Sequence, residues 1–249
     1  VINAFGGLIN ETTDVIPALD SMQLCARLSW EYTNKGKAIL EKASIHLKLL
    51  KELAQIWAKG KEKVMLLSID IEMSEKGCRD MLEIGIAHAS PPSNGKVSAK
   101  EEKNGIGSDH YIIEDNLHLK NGEQVPDNRD KFQYGISEEI ALAEVSKVMK
   151  EHVKVIAADS DRIVLVGHSV HGDVAWLQKI GVDLKGMEML DVVEAWKAKN
   201  KLQHNTSLEK MLVQYGLAVD FLHNGGNDAY LTLQLLLELF RESLEIGDD

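Results

Sequence analysis

Val64-Met65-Leu66-Leu67-Ser68-Ile69-Asp70-Ile71-Glu72 is an apolar run closed by two acids. Its length and branched side chains are those of a central strand buried on both faces. Alternate residues of a strand share a face, so Asp70 and Glu72 point the same way. Two unpaired carboxylates on a buried strand are costly, and a divalent cation is one of the few partners able to neutralise both. An Asp-x-Glu triplet also occurs on ordinary solvated strand ends, so this pair needs support from the rest of the chain.

Downstream of the run, apolar strands are expected at Met81–Ala89 and His110–Ile113, separated by a polar loop over 90–107. A second irregular stretch, 116–136, holds Asn121-Gly122 and Pro126-Asp127-Asn128. Ser137-Glu138-Glu139 has the pattern of a helix N-terminus, which predicts a helix from there to about Ala157. Ile163–Gly167 and Met187–Asp191 are predicted strands; Asp173–Ile180, 206–215 and 226–244 are predicted helices. Three strands in succession and then alternating elements predict an α/β domain with a mixed five-stranded sheet flanked by helices. Upstream, residues 13–60 carry helical periodicity through Leu40, Leu47, Leu50, Leu53 and Trp57, with Lys35, Lys37, Lys42, Lys48 and Lys51 interleaved. The expected organisation is an N-terminal helical extension over 1–62 and the α/β domain over 63–249. A lysine-rich helix is more often a solvated face than a nucleic-acid guide.

The 249 residues are 44% hydrophobic and 27% charged, an ordinary balance for a globular protein. The chain opens Val1-Ile2-Asn3 without a signal sequence, so it is expected to be part of a longer, intracellular protein, cytoplasmic or nuclear. No apolar run approaches the ~18 residues of a membrane span, and no membrane partner is expected. Cys25 and Cys78 are too few and too far apart for a disulfide framework or a zinc site. A net charge of −11 argues against a broad basic duplex-binding face. It does not exclude a nuclease whose acids hold cations that reverse the local potential.

Two further segments supply the support that Asp70 and Glu72 need. In Gly167-His168-Ser169-Val170-His171-Gly172-Asp173 a strand ends, the chain turns, and Asp173 falls near the start of a helix. In His223-Asn224-Gly225-Gly226-Asn227-Asp228 a Gly-Gly turn precedes a long apolar helix that carries Asp228 in its first turn. The first segment superficially matches a hydrolase nucleophile elbow, but His171 stands where the second glycine belongs. His168 and His171 are more simply turn histidines than zinc ligands. Asn205-Thr206-Ser207 fits a glycosylation sequon, but without a secretory context it reads as a helix cap.

Taken together, these motifs resemble the DEDDh exonucleases of the RNase H-like superfamily over about residues 64–240. Asp70 and Glu72 match the first motif, Asp173 the second, and His223 with Asp228 the third, in the histidine spacing. Asp191 and Ser207-Leu208 also fall where the family has an Asp and a Ser-Leu pair. The resemblance implies an RNase H-like fold and two Mg²⁺ or Mn²⁺ ions held by Asp70, Glu72, Asp173 and Asp228. It also implies His223 as general base. The implied activity is 3′→5′ hydrolysis of a single-stranded RNA or DNA end to nucleoside 5′-monophosphates. Met73, Leu117, His118, Phe132 and Tyr134 are candidate strand contacts, each more readily read as packing or surface. Residues 111–117 and 128–135 are similar to a fungal branch that includes the QIP exonuclease, whose partner is Argonaute in RNA silencing. The rival reading is a catalytically weak RNase H-like adaptor in an RNA-processing, silencing or export complex.

Overall fold

The computed structural model describes residues 33–60, 62–76, 80–91, 105–184 and 186–245. Helical signals upstream of Thr33, and most of the expected loop over 90–107, lie outside these residues. The first described element is one helix, α1 (Asn34–Lys59). Thr33 caps it by accepting the Gly36 N–H at 2.9 Å, and Gly60 ends it at a left-handed φ of 58°.

Next come β1 (Val64–Met73), β2 (Met81–Ala89), β3 (Ile106–Ile113) and β4 (Ser137–Ile140). They are followed by α2 (Val145–Ala157), β5 (Arg162–Gly167), α3 (His171–Lys179) and β6 (Glu188–Asp191). The chain continues through α4 (Val192–Asn200), α5 (Leu208–Gln214) and α6 (Gly225–Glu245). The strand order is β4-β3-β2-β1-β5-β6. β1 to β3 form an antiparallel meander, while β4, β5 and β6 each pair in parallel with their neighbours. This is a mixed α/β sheet flanked by helices, consistent with an RNase H-like fold.

The sheet has six strands rather than the expected five. Ser137-Glu138-Glu139 starts no helix: it lies beside β3 from His110↔Ser137 to Ile113↔Ile140. The Ser137 hydroxyl that resembled a cap instead pairs with His110 Nδ1 at 2.8 Å. A short strand rich in charge suits a sheet edge, where one row of backbone groups faces water. A 3₁₀ turn at Leu142–Glu144 then leads into α2, eight residues after the expected start. Another element not expected is α4, which follows β6 without a loop because the Asp191 side chain caps it, accepting from Val193 N at 3.0 Å.

β1 alternates between two cores. Leu66 packs with Leu50, Leu53 and Trp57 of α1 and with α4, α5 and α6; Leu67 and Ile69 pack with α2 and α3. Each such Leu or Ile contributes about 1.5–3 kcal/mol by leaving water. Asp70 and Glu72 follow Leu66 and Ser68 onto the α6 face. Among the described residues no helix is long and apolar enough to cross a membrane.

Candidate active site

β1 meets β2 with Asp70 opposite Gly85 and Glu72 opposite Glu83. Gly85 carries no side chain because α6 begins on top of it: a Cβ there would lie 1.9 Å from the Gly225 carbonyl oxygen. A Cβ on Gly226 would in turn strike Phe132 at 2.6 Å and His110 at 2.8 Å. The glycines thus let the start of α6 sit directly on the sheet, and Asp228, in the first turn, is delivered to the face that bears Asp70 and Glu72.

The loop before α6 is fixed by asparagines. Asn224 donates from Nδ2 to the carbonyls of Asn128 (3.0 Å) and Arg129 (3.2 Å) and accepts from Asn227 N at 3.0 Å. Asn227 accepts from Gln133 N and donates to Lys131 O and Phe221 O, while Asn128 donates to Leu222 O. The irregular segment 128–133 is therefore laced to 221–227. His223 sits inside this lacing with a positive φ of 65°. Its backbone N–H donates to Asp228 Oδ2 at 3.1 Å and its ring stays exposed, with Nδ1 4.0 Å from Glu72 Oε1.

Asp173 arrives from the opposite side. β5 ends at Gly167, the chain turns through Ser169 at φ 68°, and Asp173 in the first turn of α3 accepts the Ile71 N–H at 3.1 Å. All five side chains singled out in the sequence are thereby placed at one end of β1. Asp228 is buried, while Asp70, Glu72 and Asp173 keep some solvent contact and His223 is open. Burial first and the nearby Asp228, Glu72 and Asp173 second hold the Asp70 carboxyl well above the ordinary range. Burial and Asp228 push Glu72 up to about 8. Burial likewise raises Asp173 and Asp228 to about 7, against the hydrogen bonds from Ile71 and His223.

Four acids raised in this way would be neutralised by a bound cation. Among the described residues no Lys or Arg pairs with these four acids, and Asp228 Oδ1 is buried without a hydrogen-bond partner. Ligand atoms of Glu72, His223 and Asp228 lie within 4.8 Å of one another, spacing that suits a shared ion. Hard oxygen donors with one imidazole fit Mg²⁺ or Mn²⁺ better than a thiophilic metal.

Sequence reasoning passed over Glu83 and His110. Both are buried, and His110 Nε2 lies 2.8 Å from Glu83 Oε2, which also accepts the Gly225 N–H at 3.3 Å. Glu83 thus holds the first N–H of α6 against β2. An acid between Leu82 and Ile84 in an otherwise apolar strand was the available signal. The expected strand contacts fare unevenly. Tyr134 is stacked on Tyr230 with ring centroids 3.6 Å apart, Phe132 packs against His110, and Met73 pairs with Met81 and packs in the core. Leu117 and His118 stay on the surface. Phe221, two residues before His223, is 42% exposed. His168 Nε2 is spent on the Thr206 carbonyl at 2.9 Å. Asp191 and Ser207 act as caps of α4 and α5.

The family described as DNA polymerase III subunit epsilon-like, C-terminal domain, of the DEDDh class, matches residues 65–239. An uncharacterized nucleolar protein of Schizosaccharomyces pombe is 32% identical over 138 residues, 52% of this chain and 55% of that protein. An uncharacterized protein of Saccharomyces cerevisiae is 30% identical over 215 residues, 75% of this chain and 44% of that protein. The Saccharomyces cerevisiae protein named Good for full DBP5 activity protein 2 is 30% identical over 203 residues, 71% of this chain and 35% of that protein. The chain therefore spans between 35% and 55% of the length of these relatives.

Proposed function

The chain belongs to the DEDDh, DNA polymerase III epsilon-like family, and from that premise we propose that it is a metal-dependent 3′→5′ exonuclease acting on single-stranded RNA, and on DNA as well. The observation that supports this reading is the convergence of four acids from β1, α3 and α6 with no Lys or Arg among the described residues to neutralise them and one buried oxygen left unpaired.

DEDDh exonuclease-like domains generally use divalent metals, and here Asp70, Glu72, Asp173 and Asp228 would hold two such ions, Mg²⁺ or Mn²⁺. Bound there, the ions supply charge neutralisation at the phosphoryl group, an acidified water and a counter-charge for the leaving 3′-oxygen. The protein's own groups do the rest. His223, free at its ring and tied only through its backbone, takes the proton of the attacking water. The Glu72 carboxylate, 4.0 Å from Nδ1, then holds the resulting imidazolium. Asp173 is oriented by Ile71 N, and Asp228 by His223 N, so each carboxylate is fixed before substrate arrives. Phe221 offers an open ring for the terminal base. The products are nucleoside 5′-monophosphates.

The test uses 3′-blocked and unblocked single-stranded RNA and DNA with Mg²⁺ or Mn²⁺, comparing wild type with Asp70→Ala and His223→Ala. A ladder shortening from the open 3′ end, lost in EDTA and in both variants, is expected. Strands left whole under every metal condition overturn the reading. They would favour a second one, a subunit working beside another protein, which the name of the DBP5-related relative supports. The name of the nucleolar relative supports a nuclear location. Membership of the Argonaute-partnering fungal branch rests on residues 111–117 and 128–135, and capture of an Argonaute from a silencing-competent extract is its test.

A further inference from the structure

α1 runs back along the sheet toward the active site. Its C-terminal end leads into the start of β1, so its N-terminal half lies at the end where Asp70 and Glu72 emerge. His46 is about 20 Å up the helix from Lys59 at ~1.5 Å per residue. Asp70 is about 20 Å along β1 from Val64 at ~3.3 Å per residue. The two levels are tied physically: the Asp191 N–H at the end of β6 donates to His46 Nδ1 at 3.2 Å. The same Asp191 acts on the charge of Asp173.

One stripe of α1 changes character at this level. Leu49, Leu50 and Leu53 face the core; on the same side of the helix, toward its N-terminus, come His46, Lys42, Ile39 and Lys35. Lys35 and Lys42 are exposed, and neither forms an ion pair with any described residue. His171, at the start of α3 and two residues before Asp173, is exposed and meets His46 edge-on with ring centroids 6.4 Å apart. Lys42 and His171 both lie near enough to His46 to act on its charge. Because Nδ1 of His46 accepts a backbone N–H, its proton resides on Nε2, which makes that nitrogen a donor.

Building on the nuclease reading above, we propose that Lys35, Lys42 and His46 of α1, with His171 of α3, bind the phosphodiester backbone of the single strand whose 3′ end occupies the active site. Charge selects this occupant. The chain carries a net −11, yet α1 has Lys35, Lys37, Lys42, Lys48, Lys51 and Lys59 against Glu41 and Glu52. The part of that excess aligned with the site is the Lys35–Lys42–His46 stripe. Such contacts track a backbone without reading its bases, which suits an enzyme that removes nucleotides of every kind.

The experiment follows binding, so that it is independent of turnover. Fluorescence anisotropy of a 5′-labelled, 3′-blocked oligouridylate of about 20 nucleotides is titrated with protein in Mg²⁺ over a range of salt. Each phosphate contact to a single strand contributes about 0.7 to the slope of log K against log salt. The Lys35→Glu/Lys42→Glu variant is expected to lose affinity by at least tenfold and to flatten the slope by roughly 1.4. The outward-facing pair Lys48→Glu/Lys51→Glu keeps the wild-type slope. Unchanged affinity in the first variant, an equal loss in the second, or no binding by the wild type overturns the proposal. Binding that depends on Lys35 and Lys42 without any hydrolysis of the unblocked strand leaves this proposal standing and overturns the exonuclease.

Discussion

Two turns of this molecule share one spacing, a histidine five residues before an aspartate at the start of a helix, and use it in opposite ways. In the turn into α3, the His168 ring is fixed by the Thr206 carbonyl, and its burial lowers its pKa against that hydrogen bond. In the turn into α6, only the backbone of His223 is fixed, by Asp228 and by the asparagines around it, and the ring is free beside Glu72. Both deliver an aspartate to the same place. Spacing therefore sets where the acid goes, whereas the tether decides whether the histidine ring is held as a strut or left open.

The largest expected effect comes from Gly85→Ala, which acts on the α6 turn alone. A methyl group 1.9 Å from the Gly225 oxygen must push α6 off the sheet. Overpacking of up to about 3 kcal/mol should lower Tm by roughly 6–12 °C, and exonuclease activity should fall below detection; wild-type turnover with an unchanged Tm would break the account of how Asp228 is delivered. Next in size is His223→Ala, for which kcat should drop about 10²–10⁴-fold with little change in the melting curve. A deficit confined to KM would make His223 a binding group instead.

A third measurement concerns the acids themselves. Glu72, at about 8, and Asp173 and Asp228, at about 7, are raised above their unfolded values, so folding favours their neutral forms. Their stabilising contribution is complete below about pH 4 and is lost as pH rises through 7 to 8. In EDTA, Tm should fall by several degrees between pH 5 and 8.5. Mg²⁺ should remove the decline, and Asp228→Asn should reduce it. A profile identical in Asp228→Asn and wild type would place the pH dependence elsewhere. The smallest effect is expected from His168→Ala: about 1 kcal/mol for one lost hydrogen bond, roughly 2–4 °C in Tm, with kcat within a few-fold of wild type. A thousandfold loss of kcat there would erase the distinction between the two histidines.

Much of this was legible because its causes are local. A continuous apolar run ending in Asp70 and Glu72, and two glycine-bearing turns each followed by an acid, show their geometry within a dozen residues. β4 was misread because a Ser followed by acids fits a helix start and an edge strand equally well, and only the unpaired edge of β3 decides between them. α4 was missed because Asp191 is both the last residue of β6 and the cap of the helix, with no loop to mark where strand becomes helix. The asparagine lacing joins residues more than ninety positions apart, and the link between His46 and Asp191 spans 145; neither leaves a local trace. The lysines of α1 illustrate the same limit. Read by composition they are a solvated face, and only the direction of the helix relative to β1, together with the face it turns to the sheet, separates Lys35 and Lys42 from Lys48 and Lys51.

The seat of α6 on Gly85 also bears on the order of events during synthesis. β1 and α3 precede α6 by some fifty residues or more, so Asp70, Glu72 and Asp173 leave the ribosome while Gly225 and Asp228 are still unmade. A nascent chain at that stage owns three acids and no seated histidine, and the Gly85 surface lies bare until α6 lands on it. The full set of acids is then assembled in a single late docking event, and on the nuclease reading proposed above the growing chain spends most of its time beside its own message without a complete site.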